Sequence, residues 1–126
     1  MKRLLIIDDD ELDRKMMVDA LRKTDSRITV HEVSRGPEAY SAAKRLWPIA
    51  ALLDVRMPDM DGFEVLSIIR QDGKLTDMPV MMLSGSDDPD DMRRADELGA
   101  TAYRVKPSSR KGYTNLAEDI CHHWLS

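Results

Sequence analysis

Residues 49–62 read IAALLDVRMPDMDG. Five apolar residues, Ile49 to Leu53, run unbroken into Asp54, and a turn containing Pro58 and Gly62 follows. A short apolar run of this kind suits a strand buried on both faces, as in a parallel sheet covered by helices. The pattern recurs on either side. Leu4-Leu5-Ile6-Ile7 runs into Asp8 and Asp9, and Val80-Met81-Met82-Leu83 runs into Ser84. Residues 28–33 and 102–105 also read as strands, but polar residues interrupt both, as at sheet edges.

Segments of helical period separate the strands. The first covers about residues 11–23, with Leu12, Met16 and Ala20 inward and Met17 and Leu21 beside them. The second, about 37–46, opens on Pro37 and turns Ala39, Ala43 and Leu46 inward. The third, about 63–71, presents Phe63, Val65, Leu66 and Ile69. Asp88 caps the fourth, which opens on Pro89 and stops before Gly99. The last, about 111–125, carries Tyr113, Leu116, Ala117, Ile120 and Trp124. Strict alternation predicts an α/β fold, a (βα)5 doubly wound parallel five-stranded sheet. With the continuous apolar strands in the middle, the strand order is 2-1-3-4-5, the flavodoxin-like arrangement.

Composition narrows the function classes. A chain of 126 residues, 42% hydrophobic and 33% charged, fits one domain, residues 1–126, with a real core. A net charge of −4 argues against a broad grip on nucleic acid or an anionic membrane. One cysteine excludes an internal disulfide framework. The apolar start MKRLLII is cut short by Asp8, Asp9 and Asp10, too early for a signal peptide. No apolar run approaches the ~20 residues of a membrane helix. A cytoplasmic protein is expected.

In such a sheet, ligands bind beyond the carboxyl ends of the strands. Here those ends carry Asp8 and Asp9, Asp54, Ser84 and Lys106. Each alone has a plain structural explanation: a cap, a turn hydroxyl, an exposed loop charge. Their coincidence at one sheet edge does not. Three carboxylates repel unless protons or a cation intervene, and an all-oxygen donor set suits Mg²⁺. A carboxylate beside that metal could accept a phosphoryl group. Lys106 could neutralise the transferring oxygens and Ser84 could donate to one of them.

With these residues in place, the chain resembles the receiver domain of two-component response regulators. The resemblance rests on LLIIDDDE, ALLDVRMPDMDG, MLSG and AYRVKP, and spans essentially the whole chain. It implies that Asp54 is the phosphoacceptor. Asp9 would ligate Mg²⁺ directly and Asp8 largely through water, with Asp54 and the backbone carbonyl of Arg56 completing the protein ligands. Ser84 would be the switch hydroxyl, Tyr103 the aromatic that moves with it, and Lys106 the phosphate contact. Gly62 would supply a turn free of Cβ, and the Lys106–Pro107 bond is expected to be cis. The resemblance further implies a histidine kinase or phosphotransfer protein as donor. Output would run through a downstream effector protein, with no output domain in the chain and no direct nucleic-acid contact. Monomer and weak homodimer are both compatible with it. The implied partner face is the fourth helix, fifth strand and fifth helix, including Arg93, Arg94, Tyr103 and Arg104. Gly85 after the switch hydroxyl and Ser108 after Lys106-Pro107 depart from the commonest pattern.

Other readings fare worse. Asp8-x-Asp10 resembles the nucleophile motif of haloacid-dehalogenase-type phosphatases, but Leu12 stands where Thr or Val is needed. Asp59-x-Asp61-Gly62 resembles part of a calcium loop, yet Met57 and Ile68 occupy its acidic positions. His122 and His123 beside Cys121 point about 100° apart on a helix and do not converge. The remaining alternative is a receiver fold that binds a partner without being phosphorylated.

Overall fold

The computed structural model describes residues 2–124. Five strands, β1 (Lys2–Ile7), β2 (Ile28–Val33), β3 (Ala50–Asp54), β4 (Val80–Ser84) and β5 (Ala102–Val105), alternate with five helices. These are α1 (Glu11–Thr24), α2 (Gly36–Leu46), α3 (Gly62–Gln71), α4 (Pro89–Glu97) and α5 (Arg110–Trp124). All four strand pairings are parallel, in the order β2-β1-β3-β4-β5. This is the (βα)5 order expected from strand polarity. Boundaries shift by a residue or two. Ile49 stays outside β3 and is 38% exposed. The expected helix end at 125 lies outside the described residues.

Period-two alternation divides the core. Leu5, Ile7 and Leu53 face α2 and α3, with Phe63 and Leu66 in that layer. Leu4, Ile6 and Leu52 face α1 and α5, with Leu21 and Leu116 opposite them. Three acidic residues start helices by accepting a backbone N–H: Asp10 from Asp13, Asp61 from Glu64 and Asp88 from Asp90. Gly62 is a steric requirement, because a Cβ there would stand 2.1 Å from the Asp54 carbonyl oxygen. The absent side chain lets α3 begin directly against the end of β3.

Two expectations are corrected. Leu12, placed inward by its apolar character, is 65% exposed. The buried stripe of α1 is Met17, Val18 and Leu21, with Ala20 at its margin. Steps of three and four back from Met17 reach Arg14 and Asp13, so the inward stripe ends in charged residues next to the strand ends. Leu12 lies one step off it. The Lys106–Pro107 bond is trans, since no described peptide bond is cis. Trans is the lower-energy isomer of an X–Pro bond by about 0.5–1 kcal/mol. In it the Lys106 N–H already donates to the Ser84 carbonyl at 2.7 Å.

The rotated face of α1 has a measurable consequence. Leu21→Ala should destabilise the fold by about 2–5 kcal/mol in urea unfolding, as for any fully buried leucine. Leu12→Ala should stay within about 0.5 kcal/mol of wild type. Equal losses would restore Leu12 to the core.

Candidate functional site

The parallel sheet delivers its functional side chains to one edge. Asp54 and Ser84 are the last residues of β3 and β4, while Asp8 and Lys106 follow β1 and β5 directly. Asp8 and Asp54 are each 5% exposed and Ser84 is buried, whereas Asp9 is open to solvent. One carboxylate oxygen each from Asp8, Asp9 and Asp54 lies within 4.8 Å of the others. The acidic strand ends expected at one edge meet there, with Lys106 beside them.

Lys106 organises the cluster. Its Nζ lies 2.9 Å from Asp8 Oδ2, 3.3 Å from Asp54 Oδ1 and 2.8 Å from Asp13 Oδ2. One ammonium thus pairs with three carboxylates and donates a hydrogen bond to Asp13. Asp8 is fixed further: its Oδ1 accepts from the Asp10 N–H at 2.9 Å, and its carbonyl accepts from Arg14 Nη1 at 2.7 Å. Tyr113, buried in α5, donates to Asp13 Oδ1 at 3.4 Å.

Charge is confined here at a cost. Burial, and then the neighbouring Asp8 charge, push the Asp54 carboxyl up to about 7, although Lys106 pulls it down. For Lys106, burial works against the ammonium. Hydrogen bonds to Asp13 and Asp8 and the charges of Asp54 and Asp8 outweigh it, and hold the ammonium above its ordinary range. Burial, followed by the Asp13 charge, moves the Tyr113 phenol up to about 12.

The oxygen-only donor set of Asp8, Asp9 and Asp54 fits a hard divalent cation such as Mg²⁺. Its partly exposed mouth at Asp9 fits an ion that keeps waters. The other carboxylates of the nearby loops have structural partners. Asp10 and Asp61 cap helices, and Asp59 pairs with Arg35 at 2.7 Å. Among the described residues, Cys121, His122 and His123 form no converging metal group.

Ser84 and Tyr103 meet at a shared residue. Ser84 Oγ accepts from the Ser86 N–H at 3.0 Å, and Tyr103 Oη donates to the Ser86 carbonyl at 2.9 Å. Movement of Ser84 Oγ therefore releases one side of a peptide segment that Tyr103 holds from the other. Arg56 turns its side chain away to α4, where Nη2 donates to the buried Asp91 at 2.7 Å. Pro107 lies against Gly112, where a Cβ would stand 2.7 Å from the Pro107 Cβ. On the expected partner face, Arg93 pairs with Asp90 and Arg104 with Asp119, while Arg94 covers the Phe63 ring at 4.4 Å.

Sequence reasoning missed Asp13, Arg14, Ser86 and Tyr113. Asp13 and Arg14 continue the inward stripe of α1 towards the strand ends, but their charge masks it in an apolar pattern. The other two carried no signal.

The family described as the response regulator receiver domain matches residues 4–118. The chain belongs to that family. A two-component response regulator of rice, ORR3, is 31% identical over 118 residues, covering 93% of this chain and 88% of that protein. The transcriptional regulatory protein GltR of Pseudomonas aeruginosa is 36% identical over 108 residues. This chain spans about half or less of the length of several curated relatives, 56% of a methanogenesis regulator and 44% of GltR. Among solved structures, phosphorylated RcpA, a cyanobacterial phytochrome response regulator, superposes with a TM-score of 0.91 at 28% identity. That match covers 99% of this receiver and 94% of RcpA. The Mn²⁺-bound response regulator Rcp1 gives 0.89 at 26% identity, covering 100% and 96%. Receivers of two-component systems are phosphorylated on aspartate and generally bind Mg²⁺, and this one carries the acidic cluster such an ion needs. None of its described helices is long and apolar enough to cross a membrane.

The raised Asp54 carboxyl sets a pH dependence. The folded receiver keeps this proton up to about pH 7, whereas an unfolded chain releases it near pH 4. Across that window the native state binds more protons, so this group's contribution to stability falls as pH rises. Without divalent ions, Asp54→Asn should melt above wild type at pH 8, by roughly 3–6 °C for each kcal/mol relieved. The gap should close towards pH 4.5. A gap that is absent at pH 8, or that grows on acidification, would contradict the assignment.

Proposed function

We propose that this receiver is a phosphoacceptor in a two-component phosphorelay, accepting a phosphoryl group on Asp54 and changing its protein contacts as a result. The observation that carries the reading is the buried Asp54 carboxylate, held 3.3 Å from the Lys106 ammonium within an acidic cluster. A histidine kinase or phosphotransfer protein is the donor. An Asp54 carboxylate oxygen forms the new bond to phosphorus while the phosphorus–nitrogen bond of the donor phosphohistidine breaks. The imidazole keeps the electron pair and takes a proton from water.

Asp8, Asp9, Asp54 and the Arg56 carbonyl would hold Mg²⁺. When bound, Mg²⁺ supplies positive charge opposite the phosphoryl oxygens. Lys106 supplies a second cation from the β5 side. Burial keeps Asp54 poorly solvated, so its carboxylate meets the phosphoryl group without shedding a full water shell.

Ser84 and Tyr103 form the switch. A phosphoryl group offers strong acceptor oxygens, and Ser84 Oγ–H donates to one of them. That movement gives up the Ser86 N–H, and Tyr103 then changes its rotamer and the surface around β5. An effector protein reads the altered α4, β5 and α5 face. Residues 1–126 act as one receiver domain, cytoplasmic, whose switched surface is read by a protein partner rather than by nucleic acid.

Incubation with acetyl phosphate and Mg²⁺ should add one phosphoryl mass, mapped to Asp54 and lost in Asp54→Asn. Ser84→Ala should still gain that mass but keep the Tyr103 environment of the unmodified protein in NMR spectra. Labelling of Asp54→Asn to the wild-type extent would overturn the site. Absence of any label on wild type would favour the receiver as an unmodified binding module.

A further inference from the structure

Asp13 is the carboxylate that the phosphoacceptor reading leaves without a role. It lies in the first turn of α1, on the inward stripe, and makes the shortest of the three Lys106 contacts: 2.8 Å, against 2.9 Å to Asp8 and 3.3 Å to Asp54. The Lys106 side chain is 14% exposed and that of Asp13 32%, so water competes only partly for this pair. Asp13 is itself oriented by Tyr113 Oη at 3.4 Å. An ammonium has three N–H groups; here one donates to Asp13, and the same charge pairs with Asp8 and Asp54. A phosphoryl group arriving on Asp54 brings further oxygens that need Lys106. It can gain that donor only at the expense of a carboxylate already bound.

We propose that Asp13 is a positioning residue that competes with Asp54 for the Lys106 ammonium, and so slows phosphoryl transfer to this receiver. The proposal rests on Asp54 as the acceptor. Asp8 is committed to the acidic cluster and to the Asp10 N–H, and Asp54 is the reacting group. Asp13 is therefore the contact Lys106 can release without dismantling the site. Its grip sets how much of the ammonium's charge reaches Asp54. Tyr113 extends the arrangement into α5, since Asp13 must keep or lose its second partner as Lys106 moves.

The test measures the rate of phosphoryl transfer from acetyl phosphate with saturating Mg²⁺, read by intact mass. In that reaction an Asp54 oxygen bonds to phosphorus as the bond from phosphorus to the acetate oxygen breaks. Acetate leaves as its anion, so no proton need be supplied. Asp13→Asn should raise the limiting rate at saturating donor roughly three- to tenfold, the scale of one hydrogen-bonded contact. The donor concentration giving half that rate should move much less. Asp13→Glu, which keeps the carboxylate, should return towards the wild-type rate. Asp10→Asn removes the same charge from the same end of α1 and keeps a good cap, but Asp10 does not touch Lys106. It should stay within about twofold of wild type. Should Asp13→Asn fail to fold, Asp13→Ala carries the same expectation.

An unchanged or slower rate in the Asp13 variants overturns the proposal. So does equal acceleration by Asp10→Asn, which would reduce the effect to a general field. A wild-type chain that takes no phosphoryl mass overturns the acceptor reading and this proposal together. A wild-type chain that is labelled, with Asp13→Asn no faster, overturns this proposal alone.

Discussion

One ammonium facing three carboxylates is the constraint around which the strand ends are arranged. Lys106 is delivered by β5, Asp54 by β3, Asp8 by β1 and Asp13 by the first turn of α1. A parallel sheet sends these strand ends to one edge, and the order β2-β1-β3-β4-β5 sets the ends of β1 and β4 on either side of β3. Opposite charges this close are strongly coupled when water is excluded. The carboxylates outnumber the cation, so the site favours a further positive charge. An acidic site that is deficient in cations is a poor structural device and a good receptor for a divalent ion.

Local structure around the cluster serves to keep it in place. Gly62 admits α3 against the Asp54 carbonyl, which fixes the end of β3 from below. Arg14 holds the Asp8 carbonyl and Arg56 reaches across to Asp91, so loops that bear charge are tied to helices by other charges. α4 buries only Asp91 and Ala95 among its nine residues. A helix held by so little apolar contact can be shifted at small free-energy cost. Two ties from the site side meet this region: the Arg56–Asp91 pair, and Ser86, held by both Ser84 and Tyr103. Changes at Asp54 therefore have a short path to the surface.

Much of this was legible in the order of residue types. Unbroken apolar runs identified β1, β3 and β4 as central, and polar interruptions placed β2 and β5 at the edges. The residues after the strands name the acidic cluster, Ser84 and Lys106. What stayed hidden has physical causes. Leu12 reads as core by hydropathy, yet it lies off the inward stripe of α1 and is exposed. Asp13 and Arg14 occupy the inward stripe, but as charged residues they break the apolar pattern by which such a stripe is recognised. The Asp13–Lys106 contact joins positions 93 residues apart, and Ser86 acts through its backbone. Neither leaves a trace in composition or periodicity.

Central to this account is the claim that Lys106 neutralises a cluster that is otherwise self-repelling, and that a divalent cation can take over part of that task. Melting of Lys106→Met against wild type, with and without saturating Mg²⁺ at pH 8, addresses it directly. Without metal the variant leaves its carboxylates unpaired, and should lose about 3 kcal/mol, as when one partner of a buried ion pair is removed. Mg²⁺ should then stabilise the variant more than wild type and narrow the gap. A variant that melts at or above wild type without metal, with no extra gain from Mg²⁺, would contradict the account.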